Sequence, residues 1–397
     1  MTTQQPASPL QQQAIPLWRD ERAIKWTAQI ISGVIILGLI LWVILNFIEG
    51  ANQRGMTLNF QFLKNPAGFP ISDPVLPYEP SMSFGYAFMV GFVKTVLVSV
   101  IGIFFATILG IIIGIARLSS NWLVSQLAIF YIEFNRNIPL LVLLFIFYFP
   151  IFNQLPPVKE SISIGNALIL NSRGIYLTWP RLTTTGIIWI VVIFLSIILA
   201  AVAYIRLQKR QIETGKSTYY GIVSIALLLV GPIFSLLILG NSPVEWDFPI
   251  LEGFNYSGGL RLTPEFTALL FGLTVYTAAF IAEVVRAGIQ SVSKGQREAA
   301  NALGLNSFQV LNLIIFPQAL RVIIPPLISQ YLNLTKNSSL AFFIGYQEVF
   351  SVGKIAINQA GRAIPVFALV MLVYLALSLF TSLILNWYNR RIQLVER

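Results

Sequence analysis

Gly215-Lys216-Ser217 ends like an ATP-binding loop, the first place in these 397 residues where chemistry could be sought. Such a loop needs G-x-x-x-x-G-K-[ST], a glycine arch whose backbone N–H groups cradle phosphates between a strand and a helix. Arg210 stands where the first glycine belongs, and the apolar run before it is far too long for a strand. The stretch therefore reads as a solvated loop between two hydrophobic segments. Composition removes most other chemistry. With no Cys and no His, the chain cannot form disulfides, use a thiol nucleophile or imidazole, or build almost any zinc, copper or haem site. No catalytic residue, metal ligand or cofactor site is expected on it.

Three polar groups lie inside apolar stretches. Glu133 and Arg136 are three residues apart and can pair on one helix face. Asn137 and Pro139 follow, and Pro139 lacks a donor and breaks the helix. Freed backbone groups beside a guanidinium suit a carboxylate. Lys336, Asn337, Ser338 and Ser339 offer a cation, an amide and two hydroxyls at an interrupted stretch. Glu283 and Arg286 are again three apart, near the end of theirs. A charge at mid-bilayer costs at least about 2.5 kcal/mol, so such groups face partners or a pathway. The plain alternative is that each pair locks helices together, and it is favoured at Glu283 and Arg286. Lys94 is expected to reach toward the headgroups, with no further role.

The elements that must hold these groups are membrane spans. The chain is 56% hydrophobic and 11% charged, with a mean hydropathy of +0.75, whereas soluble domains carry about 25% charged residues. A spanning helix needs about 20 apolar residues. Eight stretches qualify or nearly do: 30–48, 84–116, 122–152, 186–205, 221–240, 267–285, 322–344 and 366–387. The seventh is interrupted by Pro325, Pro326, Asn333 and Lys336. The fold class expected is an all-α integral membrane protein. The net charge of +10 comes from short basic clusters between spans, which is orienting charge rather than a nucleic-acid surface. With both termini in the cytoplasm, inside Lys and Arg outnumber outside ones by about two to one. The polar, Gln/Pro-rich N-terminus reads as disordered and not as a signal peptide.

On that orientation the segment 288–320 is cytoplasmic. Glu298, Ala299, Ala300, Gly304, Ile314 and Pro317 define the pattern E-A-A-x3-G-x9-I-x-x-P. "SKGQREAANALG" reads as a short helix ended by Gly304, with Asn306 or Ser307 starting a second. The second presents Val310, Leu311, Ile314 and Ile315 as an apolar stripe. The pattern resembles the coupling loop of ATP-binding-cassette importer permeases, with Phe316 where that family usually carries Leu. "FVKTVLVSV", "FNRNIPLLVLLFIFYF", "YTAAFIAEVVRAGIQSVSKGQREAANALGL" and "TKNSSLAFFIGYQEVF" are similar to its polar-amino-acid branch, across 85–152 and 262–391. The additional spans resemble those of the long permease subunits of general L-amino-acid importers.

The resemblance implies a division of the chain. Residues 1–23 would be the disordered tail, 24–48 an extra span, 49–83 a periplasmic loop, and 84–155 the first part of a five-helix permease core. Residues 156–262 would be an insertion with two extra spans, and 263–391 the rest of the core. The resemblance also implies a multi-pass protein of the bacterial inner membrane. Its partners would be two ATPase subunits, a second permease that is identical or homologous, and a periplasmic amino-acid-binding protein. ATP would be hydrolysed on the ATPase subunits, with Glu298, Ala299, Ala300 and Gly304 touching them. The intramembrane charges could then meet an amino acid's α-carboxylate and α-ammonium. An ion-coupled secondary amino-acid transporter is the alternative, and it leaves the loop pattern unexplained. A membrane enzyme lacks His, Cys and any paired catalytic carboxylates.

Overall fold

In a computed structural model, residues 21–53, 59–165, 167–240 and 242–392 are described. The tail expected to be disordered falls on 1–20, outside the described residues, and positions 21–23 already belong to the first helix. Spanning elements appear where the apolar stretches are. They are α1 (Glu21–Gln53), α2 (Phe84–Ala116), α3 (Trp122–Asn137) with α4 (Leu140–Phe147), α5 (Thr184–Thr214), α6 (Tyr220–Leu239) and α7 (Pro264–Ser291). After α7 come α8 (Lys294–Ala302), α9 (Ser307–Gln309), α10 (Phe316–Asn337), α11 (Val349–Ala360) and α12 (Ala363–Ile392). Among the described residues seven helices are long and apolar enough to cross a membrane, or eight segments where the bent pair α3–α4 counts as one span.

The third stretch breaks where Pro139 is expected to break it: α3 and the segment running on from α4 to Phe152 meet at 106° across Ile138 and Pro139. The seventh differs from its sequence reading: it starts earlier, at Phe316, and continues through Pro325 and Pro326. It changes only at Ser338, where a 3₁₀ helix runs to Ile344.

The core forms around α2 and α7, which run parallel. Small residues let them approach. A Cβ on Gly110 would sit 2.6 Å from the Ile281 side chain, and one on Gly114 would sit 2.7 Å from the Ala282 carbonyl. Such spacing of small residues is how helices pack where lipid removes the hydrophobic driving force. Gly288 admits Ile323 of α10, and Gly272 admits Leu144 of α4, in the same way. A second apolar cluster joins Phe62, Phe69, Phe88, Val349 and Val366 where α11 lies on the start of α2. α5 and α6 pack on each other. Gly215, at φ +68°, caps α5, so the ATP-loop look-alike is a turn between helices.

Short strands, which the sequence reading did not include, join the loops at the end of the chain opposite α8 and α9. β1 (Ile162–Ile164), β2 (Leu168–Asn171), β3 (Gly174–Leu177) and β8 (Leu260–Leu262) form one antiparallel sheet in that order. β4 (Trp179–Leu182) pairs with β5 (Val244–Asp247), and β6 (Ile250–Glu252) with β7 (Asn255–Ser257). The loops flanking α5 and α6 thus lie on one side, as two antiparallel spans between them require.

Candidate functional site

The connection from α7 to α10 is a joint whose central turn, between α8 and α9, is closed by hydrogen bonds. α8 ends with the Gly304 N–H donating to the Asn301 carbonyl at 2.9 Å and the Leu305 N–H to Ala300 at 3.3 Å. Gly304 has φ +78° and open space around its missing side chain. The glycine is therefore required by backbone conformation alone, which costs any L-residue about 1–2 kcal/mol. The Asn306 side chain then accepts from the Gln309 N–H at 2.9 Å, and the Gln309 side chain from the Asn306 N–H at 3.0 Å. This reciprocal cap starts α9.

A π turn over Val310–Ile315 follows. Its wider spacing places Val310 and Ile315 on one side, buried with Ala300. Pro317 cannot donate and crowds the carbonyl of Leu313, which accounts for the widening. Ala300 was expected on the contact surface, but it is 3% exposed and packs inward against the π turn. Of the expected apolar stripe, Leu311 and Ile314 are half-buried. Glu298, Ala299, Gly304 and Pro317 face outward. So do Leu303 (81% exposed) and Phe308 (73%), which sequence reasoning passed over. Their signal was a large apolar residue within an otherwise polar loop.

At the same end of the core, both Glu283 oxygens accept from the Arg286 Nε at 3.1 Å, and Glu283 also binds Arg117. Arg117 follows the last turn of α2, so this cluster ties α2 to α7. That is the helix-locking arrangement.

Midway along the spans, Glu133 and Arg136 do not pair: no ion pair among the described residues joins them, and both are exposed within the chain. The Arg136 guanidinium instead lies 5.6 Å from the centre of the Phe280 ring of α7, a cation–π contact. The Tyr131 hydroxyl donates to the Val275 carbonyl at 2.8 Å and holds α3 on α7. Phe280 joins Tyr276 and Thr277 of α7, and Gln330, Asn333 and Asn337 of α10, around a pocket of about 290 Å³. At 1.5 Å per residue, Phe280 is about 24 Å along α7, well inside the membrane. Three amides, a phenol and a hydroxyl beside a guanidinium can donate to a carboxylate and accept from an ammonium.

Of the second expected group, only Asn337 reaches this pocket. The Ser338 and Ser339 hydroxyls donate to the Thr335 and Lys336 carbonyls of their own helix at 2.7 and 2.8 Å. Here both hydroxyls make helix-end bonds, and Lys336 lies exposed outside the lining. Asn137 and Pro139 are exposed at the α3–α4 break.

Two charged residues were missed or misplaced. Lys94 does not reach for headgroups. It is 3% exposed, donates to the Ser72 carbonyl at 2.6 Å and lies 4.6 Å from the Tyr346 ring centre. Glu348 has no exposed surface and caps α11 by accepting from the Ser351 N–H at 2.9 Å. It also accepts from the Tyr374 hydroxyl at 2.6 Å and from Thr95 at 3.2 Å, joining α11, α12 and α2. Nothing local in "GYQEVF" marks that acid as buried.

Comparison with known proteins agrees with this architecture. Residues 218–394 match the family described as binding-protein-dependent transport system inner membrane component. The amino-acid ABC transporter permease protein YhdX of Escherichia coli is 44% identical over 94% of this chain and 95% of its own length. The general L-amino acid transport system permease protein AapQ of Rhizobium johnstonii is 43% identical over 93% and 92%. The glutamate/glutamine/aspartate/asparagine transport system permease protein BztB of Rhodobacter capsulatus is 38% identical over 95% and 96%. With 38% to 44% identity to transport permeases over nearly their full lengths and up to eight apolar crossings among the described residues, the chain belongs to the amino-acid ABC transporter permeases of that inner membrane component family.

Proposed function

We propose that the chain forms half of the channel of an amino-acid importer in a bacterial inner membrane, driven through its α8–α9 joint by ATPase subunits. A second permease copy or homologue completes the channel. Two ATPases bear on the joints, and a periplasmic binding protein delivers the amino acid. ATP binds and is hydrolysed on those partners, and this chain carries no cofactor. The joint is the observation that carries the reading. Its central turn is closed by one reciprocal cap, while Glu298, Leu303 and Phe308 stand out from it. Exposed apolar side chains on a rigid polar loop suit a partner's groove. ATP binding would draw the two joints together and rock the half-channels between outward and inward openings. The amino acid would pass the α7–α10 pocket with its carboxylate toward Arg136 and its ammonium toward amide oxygens.

Reconstitution tests this directly. Proteoliposomes holding the permease pair and ATPases should accumulate radiolabelled L-glutamine only with binding protein and ATP. Accumulation driven by an ion gradient in vesicles containing this chain alone would instead establish the secondary-transporter alternative.

A further inference from the structure

We infer that the cleft where the sheet meets the start of α7 binds the two main-chain charges of a free amino acid before it reaches the membrane pocket. The inference rests on the importer reading above and adds a second, outer site to it. The cleft has a volume of about 460 Å³ and is lined in part by Asp73, Arg173, Arg261, Glu265 and Gly345. That lies within the usual small-molecule range of about 300–1,000 Å³.

Its frame is fixed from several directions. Arg261 on β8 donates through Nε and Nη2 to the Arg173 carbonyl, both at 3.2 Å, and through Nη1 to Asp73 at 3.3 Å. Its guanidinium lies 5.9 Å from the ring centre of Tyr176. Asp73 has φ +41°, a left-handed conformation that costs a non-glycine residue about 1–3 kcal/mol unless its surroundings hold it. They do: the Ser72 N–H donates to the Gln347 side chain at 2.5 Å, and Lys94 donates to the Ser72 carbonyl at 2.6 Å. Asp73 and Arg261 thus satisfy each other and form the wall.

Two charges are left for a ligand. Arg173, at the turn from β2 to β3, makes no ion pair among the described residues; its carbonyl accepts from Arg261 and its backbone N–H donates to the Asn171 side chain at 2.9 Å, which fixes the turn and leaves the guanidinium without a hydrogen bond among the described residues. Glu265, in the first turn of α7, accepts from the Tyr148 hydroxyl at 3.1 Å with one oxygen, and the other accepts no hydrogen bond among the described residues. A free guanidinium and a half-satisfied carboxylate in one cleft match an α-carboxylate and an α-ammonium. Both arginines come from the inserted segment, which gives that segment a task. The two sites share two elements. Glu265 and Tyr276 lie on α7 about 16 Å apart along its axis. Gly345 and Asn337 are the two flanks of the 3₁₀ helix, so one lines the cleft and the other the membrane pocket.

The test uses the whole transporter in proteoliposomes, with binding protein and ATP, and radiolabelled L-glutamine as probe. Arg173→Gln and Glu265→Gln should each lower the uptake rate about tenfold, the effect of losing about 1.4 kcal/mol of interaction. Arg173→Lys should recover most of it. Affinity of the binding protein for the complex, measured separately, should stay within about twofold, roughly 0.4 kcal/mol. Uptake by both Gln variants within that same margin of the parent would overturn the site. So would a loss that tracks weakened binding-protein affinity, because the cleft would then be a docking contact. A parent complex unable to take up amino acid with ATP would remove the importer reading and this site together, an outcome distinct from a normal parent with normal variants.

Discussion

The chain interrupts its helices at two places where sequence reasoning looked for function, and it finishes them in opposite ways. At Gly304 the freed backbone groups are taken up within the turn, by bonds to Asn301 and Ala300 and by the Asn306–Gln309 cap. What remains outward is a polar surface from which two large apolar side chains, Leu303 and Phe308, project. At Ile138–Pro139 the backbone turns through 106°, and what remains outward is Glu133, Arg136 and Asn137, with no ion pair among the described residues. A closed break passes on displacement, because nothing within it has to re-pair when it is pushed. An open break with a guanidinium offers charge, and at membrane depth charge is costly enough to need a use.

Substitutions can set the two breaks against each other. The largest effect is expected from Gly304→Pro. Proline's φ near −65° cannot meet +78°, and the N–H bonded to Asn301 is lost, together costing about 3 kcal/mol or more. ATP-driven uptake should disappear while the protein remains in the membrane fraction. Glu298→Lys should have the same consequence by reversing charge on the outward face of α8. Normal uptake by both variants would refute the idea that this joint carries force.

Arg136→Gln comes next, with uptake of labelled amino acid lowered about tenfold, or 1.4 kcal/mol. A fully active variant would take Arg136 out of the pathway and leave the open break without a purpose. The smallest effect belongs to Phe316→Leu, which exchanges one half-buried apolar side chain for another. Its uptake rate should stay within about twofold, and a large loss would mean that the start of α10 is fitted more tightly to its surroundings than volume-conserving exchanges tolerate.

The apolar stretches and the α8–α9 joint could be read from sequence because both are local. A bilayer sets the length of a span, and a glycine with a following Asn sets the turn. The strands were hidden because each is three or four residues long, and Ile175 of β3 finds Leu262 only after two spans intervene. The i, i+3 spacing of Glu133 and Arg136 misled because the Phe280 ring lies within reach of the guanidinium, and spacing on one helix says nothing of a neighbour. Ala300 turned inward for a similar reason: Val310 and Ile315, on the next element, bury it, and the sequence of α8 alone does not show that neighbour. The role of Glu348 depends on Thr95 and Tyr374, far away in sequence, so no pattern around it could disclose the burial.

Gly110 and Gly114 bring α2 against α7 so closely that an added methyl group on either helix position would collide, and Glu283 rivets the far ends through Arg117. The pair therefore behaves as one beam with no room to slide along its own seam. Whatever rocking the chain undergoes has to be absorbed beside that beam, at the bent backbone around Pro139 and in the 3₁₀ winding after Asn337. Asn337 lines the amide pocket and Arg136, three residues before Pro139, lies against its Phe280, so a swing at either hinge would alter that pocket's opening.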